Sequence, residues 1–215
     1  MSKLNLPILA IETSGELCSA SVMLGEKTFY ETTIRQKNIH SEKIFEVVEI
    51  ILSAAKLKIE EIQAIAYSNG PGSFTGLRIG LSAAKGLALG ISKPIIPVPT
   101  FNALAYSISK YHNYGTKFSI IRNASTDEIY KADYHLDGEL VYGTVELINK
   151  TDTKKNDSDL IYGDKIEGLN IHEIHEATAN QIAEWAYLFG EDLLIFDYDY
   201  LEPNYLKKFI VKVKK

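Results

Sequence analysis

Asn69-Gly70-Pro71-Gly72-Ser73-Phe74-Thr75-Gly76-Leu77-Arg78 carries the densest chemical signal in the chain. Glycines let a backbone turn sharply, and free N–H groups at a helix start can receive an anion such as a phosphate or an acidic partner. The same residues also suit a tight Pro-Gly turn in which Ser73 caps the following helix. The segment lacks the lysine and Ser/Thr pair of a P-loop, and it is not the dinucleotide G-x-G-x-x-G pattern. A second cluster, Ile11-Glu12-Thr13-Ser14-Gly15, sets a carboxylate and two hydroxyls beside a turn. In a nucleotidase an acid at such a place holds a metal and the hydroxyls face phosphate. No second acidic residue makes a compelling metal-binding partner for Glu12, so a plain polar strand end competes with that reading. Thr13, Ser14, Gly70 and Gly72 are the candidate ligand-facing positions.

The remaining reactive side chains are poorly placed for chemistry. His40 has no histidine four residues on and no HExxH pair, which favours a capping or packing role. His172 and His175 have metal-compatible spacing but no third ligand. Cys18, the single cysteine, lies in a strand-like pattern, and no serine sits in a G-x-S-x-G elbow. Neither a nucleophile nor a metal site is expected, and no cofactor is implied.

Composition narrows the classes further. Among 215 residues, 46% are hydrophobic and 24% charged, which excludes a disordered or collagen-like chain. The formal charge of −5 denies the protein the global basic field of a stand-alone nucleic-acid binder. Lys207, Lys208, Lys212, Lys214 and Lys215 make only a small basic tail. One cysteine and the lack of a long apolar run predict a soluble cytoplasmic protein with no membrane segment.

These candidates need elements to hold them. Ile8–Ile11 is a compact apolar run, and Cys18, Ala20, Val22 and Leu24 alternate as in a half-buried strand. A turn at Gly25-Glu26-Lys27 leads to a third strand over Thr28–Ile34. Ile44, Phe45, Val47, Val48, Ile51, Leu52 and Ala55 recur at helical spacing, so 41–56 reads as an amphipathic helix with Glu42, Glu46 and Glu49 toward water. A strand at Ala64–Ser68, a helix after the glycine-rich turn, a short strand at Pro94–Val98 and a helix capped by Thr100 and running to about Tyr111 follow. Three antiparallel strands, then helix, strand, helix, strand, helix, is the order of a ribonuclease-H-like half of an actin-like fold. Beyond it, Phe118–Ile121, Glu128–His135 and Leu140–Leu147 read as strands, with an Asp137-Gly138 hairpin. Thr151–Asp159 reads as a solvated loop, Ala179–Phe189 as a helix capped by Thr178, and the tail to Val213 stays ambiguous.

Gly76, Gly80 and Gly86 interrupt a helical pattern, where each costs about 1 kcal/mol against alanine. Gly76, Gly80, Ala84 and Ala88 lie four apart and trace a smooth stripe that admits a neighbouring helix at short distance, within the chain or on a second one.

ILAIETS, His40-Ser41-Glu42, NGPGSFTGLRIGLSAAKGLA and PIIPVPTFNALA together closely resemble the TsaB (YeaZ) family. Arg122-Asn123-Ala124, Asp127-Glu128-Ile129-Tyr130 and Glu202-Pro203-Asn204-Tyr205-Leu206-Lys207 are shorter echoes. The likeness spans most of the chain and is dense over about 8–105. It implies an α/β, two-lobed actin-like (ASKHA, ribonuclease-H-like) fold with a reduced C-terminal lobe. The lobes are expected at 1–102 and 103–215, with the final helix returning toward the first.

The resemblance further implies an accessory, non-enzymatic subunit. It would scaffold and activate the catalytic paralogue TsaD, which places a threonylcarbamoyl group on the adenosine next to the anticodon of tRNAs reading ANN codons. The ATPase TsaE would join the pair, tRNA would be met only through the complex, and the chain alone would form a homodimer. TsaD-like enzymes carry H-x-x-x-H after the short strand, two metal-binding imidazoles one helical turn apart; those positions here are Thr100 and Leu104, which cannot replace them. The candidate partner surface comprises Phe45, Val48, Leu52, Gly76, Gly80 and Leu81. This chain departs from the family's frequent aspartates at Glu12 and Asn123, and from its Tyr-Leu-Arg at Lys207, where lysine lacks the bidentate fork. Two other classes remain open: an enzyme, either a sugar-kinase-type nucleotide hydrolase or a peptidase, and a stand-alone RNA-binding module.

Overall fold

Two sheets face each other across a shared layer of helices in the computed structural model, which describes residues 3–153 and 160–207. The first sheet is built from β1 (Ile8–Glu12), β2 (Leu17–Gly25), β3 (Thr28–Arg35), β4 (Ala64–Ser68) and β5 (Ile95–Val98), in the order β3-β2-β1-β4-β5. β2 is antiparallel to β1 and β3, whereas β4 and β5 run parallel to β1. β1 is buried at every position because both of its faces are covered. Leu9 and Ile11 point to the outer helices, and Ile8 and Ala10 point to the layer between the sheets.

The outer helices are α1 (His40–Ala55) and α2 (Phe74–Ile91). Ile44, Val47, Val48 and Ile51 of α1 are buried, each removing apolar surface worth about 1.5–3 kcal/mol, while Glu42, Glu46 and Glu49 stay in water. A left-handed Lys56 (φ 55°) stops α1. Ser73 caps α2, its Oγ accepting from Gly76 N at 3.2 Å.

The second sheet repeats the plan of the first. It holds β6 (Lys117–Asn123), β7 (Glu128–Asp137), β8 (Glu139–Tyr142), β9 (Glu146–Asn149), β10 (Leu160–Gly163) and β11 (His172–Glu173), ordered β11-β10-β6-β7-β8 with β9 also on β7. β7 is antiparallel to β6, and β10 and β11 are parallel to it, as β2, β4 and β5 are to β1. No α-helix joins β9 to β10 or β10 to β11 among the described residues. The outer face is covered instead by Ile148, Ile166, Leu169 and Ile171, so this lobe is the reduced one.

Two local expectations need correction. The strand expected over Leu140–Leu147 is two strands, because β8 and β9 pair successive halves of one edge of β7, and the chain steps past Asp133 at Gly143 between them. Thr100 does not cap its helix; Pro99 does, and α3 (Thr100–Ser109) ends two residues early. The 102/103 division falls inside this continuous helix. The loop expected at Thr151–Asp159 lies outside the described residues from 154 onward, as does the tail from Lys208. The described part of that tail adds an antiparallel bridge between Ile195 and Ile95.

The final helix of each lobe lies in the layer between the sheets. α3 packs on β7 and β8 of the second sheet, while α4 (Ala179–Phe189) packs on β1, β2 and β4 of the first and on α3. Ser19 Oγ accepts from Ala179 N at 3.0 Å and Glu31 Oε1 from Asn180 N at 2.7 Å, which pins the start of α4 onto β2 and β3.

Candidate functional site

A cleft of about 1410 Å³ opens between the lobes, walled by the β1–β2 turn, the start of α1, the 70–77 turn, α3, the end of β6 and the segments 173–177 and 204–207. The ends of strands converge here, as parallel strands do wherever their order reverses in an open sheet.

Of the four sequence candidates, Ser14 and Gly72 line the cleft while Thr13 and Gly70 lie outside its lining, and all four mostly hold the chain's own backbone. Thr13 is buried, and its Oγ1 donates to Gly76 O at 2.8 Å. Ser14 lines the cleft, and its carbonyl accepts from Ser73 N at 2.7 Å. Gly70 takes φ +101°, its N donating to Thr100 Oγ1 at 3.1 Å and its carbonyl accepting from Thr100 N at 3.0 Å. A Cβ on Gly72 would lie 2.5 Å from the Ser14 carbonyl oxygen. The glycines thus serve close approach of the chain's own backbone, and one amide at the helix start, Ser73 N, is already taken by the Ser14 carbonyl.

The glycine stripe meets the chain's own backbone at its first two positions. Side chains at Gly76 and Gly80 would overlap the Thr13 carbonyl and Thr13 Oγ1, respectively, so this end of the stripe packs on the end of β1. Both glycines are buried, and Gly76 also lines the cleft. Val48 and Leu81 are also core residues, Leu52 is half-buried, and Phe45 stands in solvent at 50% exposure.

Glu12 ends β1 with 1% exposure. Burial pushes its carboxyl up to about 7, against hydrogen bonds from Ser14 that favour the charged form. One oxygen accepts the Ser14 amide, and the other has no partner. The acid is sealed beneath the floor and is not among the residues lining the cleft.

Thr100 and Leu104 occupy the cleft wall one helical turn apart, each 4% exposed. Around them no cluster of three His, Cys, Asp or Glu side chains is present among the described residues. His40 is buried, with Nε2 2.9 Å from Gly15 O, a packing role. His172 stacks on Tyr162 with ring centroids 5.2 Å apart. Burial pushes the Cys18 thiol up to about 11, which leaves it unreactive.

Sequence reading missed the polar network on the opposite wall. Arg122, at the end of β6, lies 3.3 Å from Asp164 and 3.4 Å from Glu176 through different nitrogens. Glu176 Oε2 accepts from Glu16 N at 2.6 Å and Leu17 N at 3.0 Å, joining the lobes. Tyr205 stacks on Phe74 at 4.7 Å, Asn204 N donates to Asn69 O at 2.9 Å, and Lys207 reaches Glu128 at 2.6 Å, so the tail straps the cleft's rim. Partners 42 to 160 positions apart leave no local signal.

The geometry has relatives. The family model for TsaD, tRNA N6-adenosine threonylcarbamoyltransferase, matches residues 29–161. The tRNA threonylcarbamoyladenosine biosynthesis protein TsaB of Haemophilus influenzae is 35% identical over 59% of this chain and 52% of its own length. A tRNA N6-adenosine threonylcarbamoyltransferase of Staphylococcus epidermidis is 33% identical over 64% of this chain and 45% of its own. The chain thus spans about half the length of the curated relatives it matches. The fold of YeaZ from Pseudomonas aeruginosa superposes with a TM-score of 0.75 at 23% identity, covering 96% of this chain and all of that one. A second Pseudomonas aeruginosa structure, described as similar to peptidase YEAZ, gives 0.76 at 22% with the same coverage. The matched segment places this chain in the family that the TsaD model describes, and its curated relatives and its fold set it with the TsaB (YeaZ) proteins.

Proposed function

We propose that the chain acts in tRNA threonylcarbamoyladenosine biosynthesis as a non-catalytic subunit that holds and activates a TsaD-type paralogue. The observation that carries this is the α3 face at the cleft. Where the paralogue's resemblance places two metal-binding imidazoles, this chain has Thr100 and Leu104, and the Thr100 hydroxyl is committed to Gly70. Leucine offers no lone pair, and a threonine hydroxyl is a poor transition-metal ligand.

The partner surface in this reading includes the edge of α1 where Phe45, 50% exposed, stands two turns before half-buried Leu52. Val48 and Leu81 share the core that supports α1 and α2, and Gly76 and Gly80 seat α2 on the end of β1. The same face serves a homodimer when the paralogue is absent, because paralogous interfaces share one geometry. A TsaE-type ATPase joins the pair, and tRNA is met through the complex in the cytoplasm, consistent with the net charge of −5. Among the described residues no helix is long and apolar enough to cross a membrane. The two lobes are taken as 1–102 and 103–215, meeting in α3.

Reconstitution with purified TsaD, TsaE, the threonylcarbamoyl-adenylate donor and tRNA tests this. Modification should require the chain, and the chain alone should modify nothing. Modification by this chain without TsaD, or full activity of TsaD without this chain, overturns the reading. The nucleotide-hydrolase alternative rests on the inter-lobe cleft. Calorimetric titration with ATP and magnesium separates it, since such an enzyme binds between its lobes.

A further inference from the structure

We propose that Glu176 is a built-in anion: its carboxylate fills an oxyanion cradle in the inter-lobe cleft and thereby keeps that cleft closed to free anions. The cradle consists of two successive backbone amides, Glu16 N and Leu17 N, at 2.6 and 3.0 Å from one carboxylate oxygen, and of the Arg122 guanidinium at 3.4 Å from the other. Consecutive N–H groups converging on one oxygen, with a guanidinium opposite, are the donor set that recognises phosphate or carboxylate.

Three further features mark the place as built for an anion. Gly15 has no side chain where a Cβ would overlap the Glu176 carboxylate, so the turn is shaped around that group. Arg122 Nη1 is buried without a partner, leaving a donor that a two-oxygen carboxylate does not satisfy and that an oxyanion with more oxygens would. Glu176 itself arrives from a distant part of the chain, on the segment between β11 and α4, 159 and 160 positions from the amides it holds. The carboxylate supplies internally the charge a ligand would bring, so binding a free anion requires its expulsion.

Hydrogen exchange of the full chain, resolved at the Glu16 and Leu17 amides, tests this with inorganic phosphate as probe. In the wild type both amides should be protected and indifferent to phosphate. In Glu176→Ala they should exchange about tenfold faster or more, as expected for loss of a charge-assisted bond, and phosphate should restore protection. Glu176→Gln keeps the shape and weakens the pairing with Arg122, so it should show the same pattern at smaller amplitude. It carries the test if circular dichroism shows the alanine variant unfolded. Unchanged exchange in a folded variant overturns the proposal. So does faster exchange that phosphate does not reverse, since the turn would then be shaped for Glu176 alone, and so does equal phosphate protection in the wild type.

Discussion

Glu12 is the side chain whose environment conflicts most with its charge. Its carboxyl is pushed up to about 7, chiefly by burial, from an ordinary 4.5. Between those values the folded chain keeps a proton that the unfolded chain has released, so stability is full below about 4.5 and falls as pH rises through 7. The shift corresponds to an upper bound of roughly 3 kcal/mol. Chemical denaturation of Glu12→Gln should show that slope removed and the variant the more stable above pH 7; an identical pH profile for both chains would refute the assignment. Glycines offer a paired test at the same scale. Gly86→Ala meets nothing within 4 Å on an exposed helix face and should stabilise by up to about 1 kcal/mol. Gly76→Ala drives a methyl into the Thr13 carbonyl and should destabilise by about 3 kcal/mol or more, read as a drop in thermal midpoint. From sequence the two glycines look alike, because the difference lies in which strand end passes beneath the helix.

At the level of elements, periodicity revealed nearly all of the first lobe. β1 to β5, the two α-helices among them and α3 after them follow from apolar spacing and turn residues, since each obtains its pattern from the sheet it packs on. The second lobe was less legible. The Asp137-Gly138 hairpin stood out, but the break at Gly143 depends on contact with Asp133 of a neighbouring strand. The α1 face shows the same limit: Phe45 and Val48 share one helical repeat, yet only Phe45 reaches solvent. If that face receives the paralogue, Phe45→Asp should weaken association by about tenfold or more while leaving the melting curve of the isolated chain unchanged. Sedimentation of the mixed subunits gives the answer, and undiminished pairing moves the contact elsewhere. Of the cleft, the floor was readable as two motifs, but the Arg122–Glu176–Asp164 wall was not, because ion pairs between residues far apart in sequence have no spacing rule.

For the whole molecule, the placement of α3 and α4 matters most. Each closing helix sits on the sheet of the opposite lobe, and residues of both sheets and both helices share one apolar cluster. A hinge through such a layer would have to separate buried Phe101, Phe118, Ile182 and Trp185, so large relative motion of the lobes is opposed by the core itself. The exchange also sets a schedule for biosynthesis. While the ribosome is still making the middle of the chain, the rear of the opening sheet, with Ile8, Ala10, Ala66 and Val98, lies bare until residues 179–189 emerge. Nascent chains arrested at residue 176 should accordingly be cut by protease throughout, those arrested after all 215 residues and a C-terminal spacer long enough to clear the ribosome should be protected, and a newborn chain would need chaperone shelter for that interval.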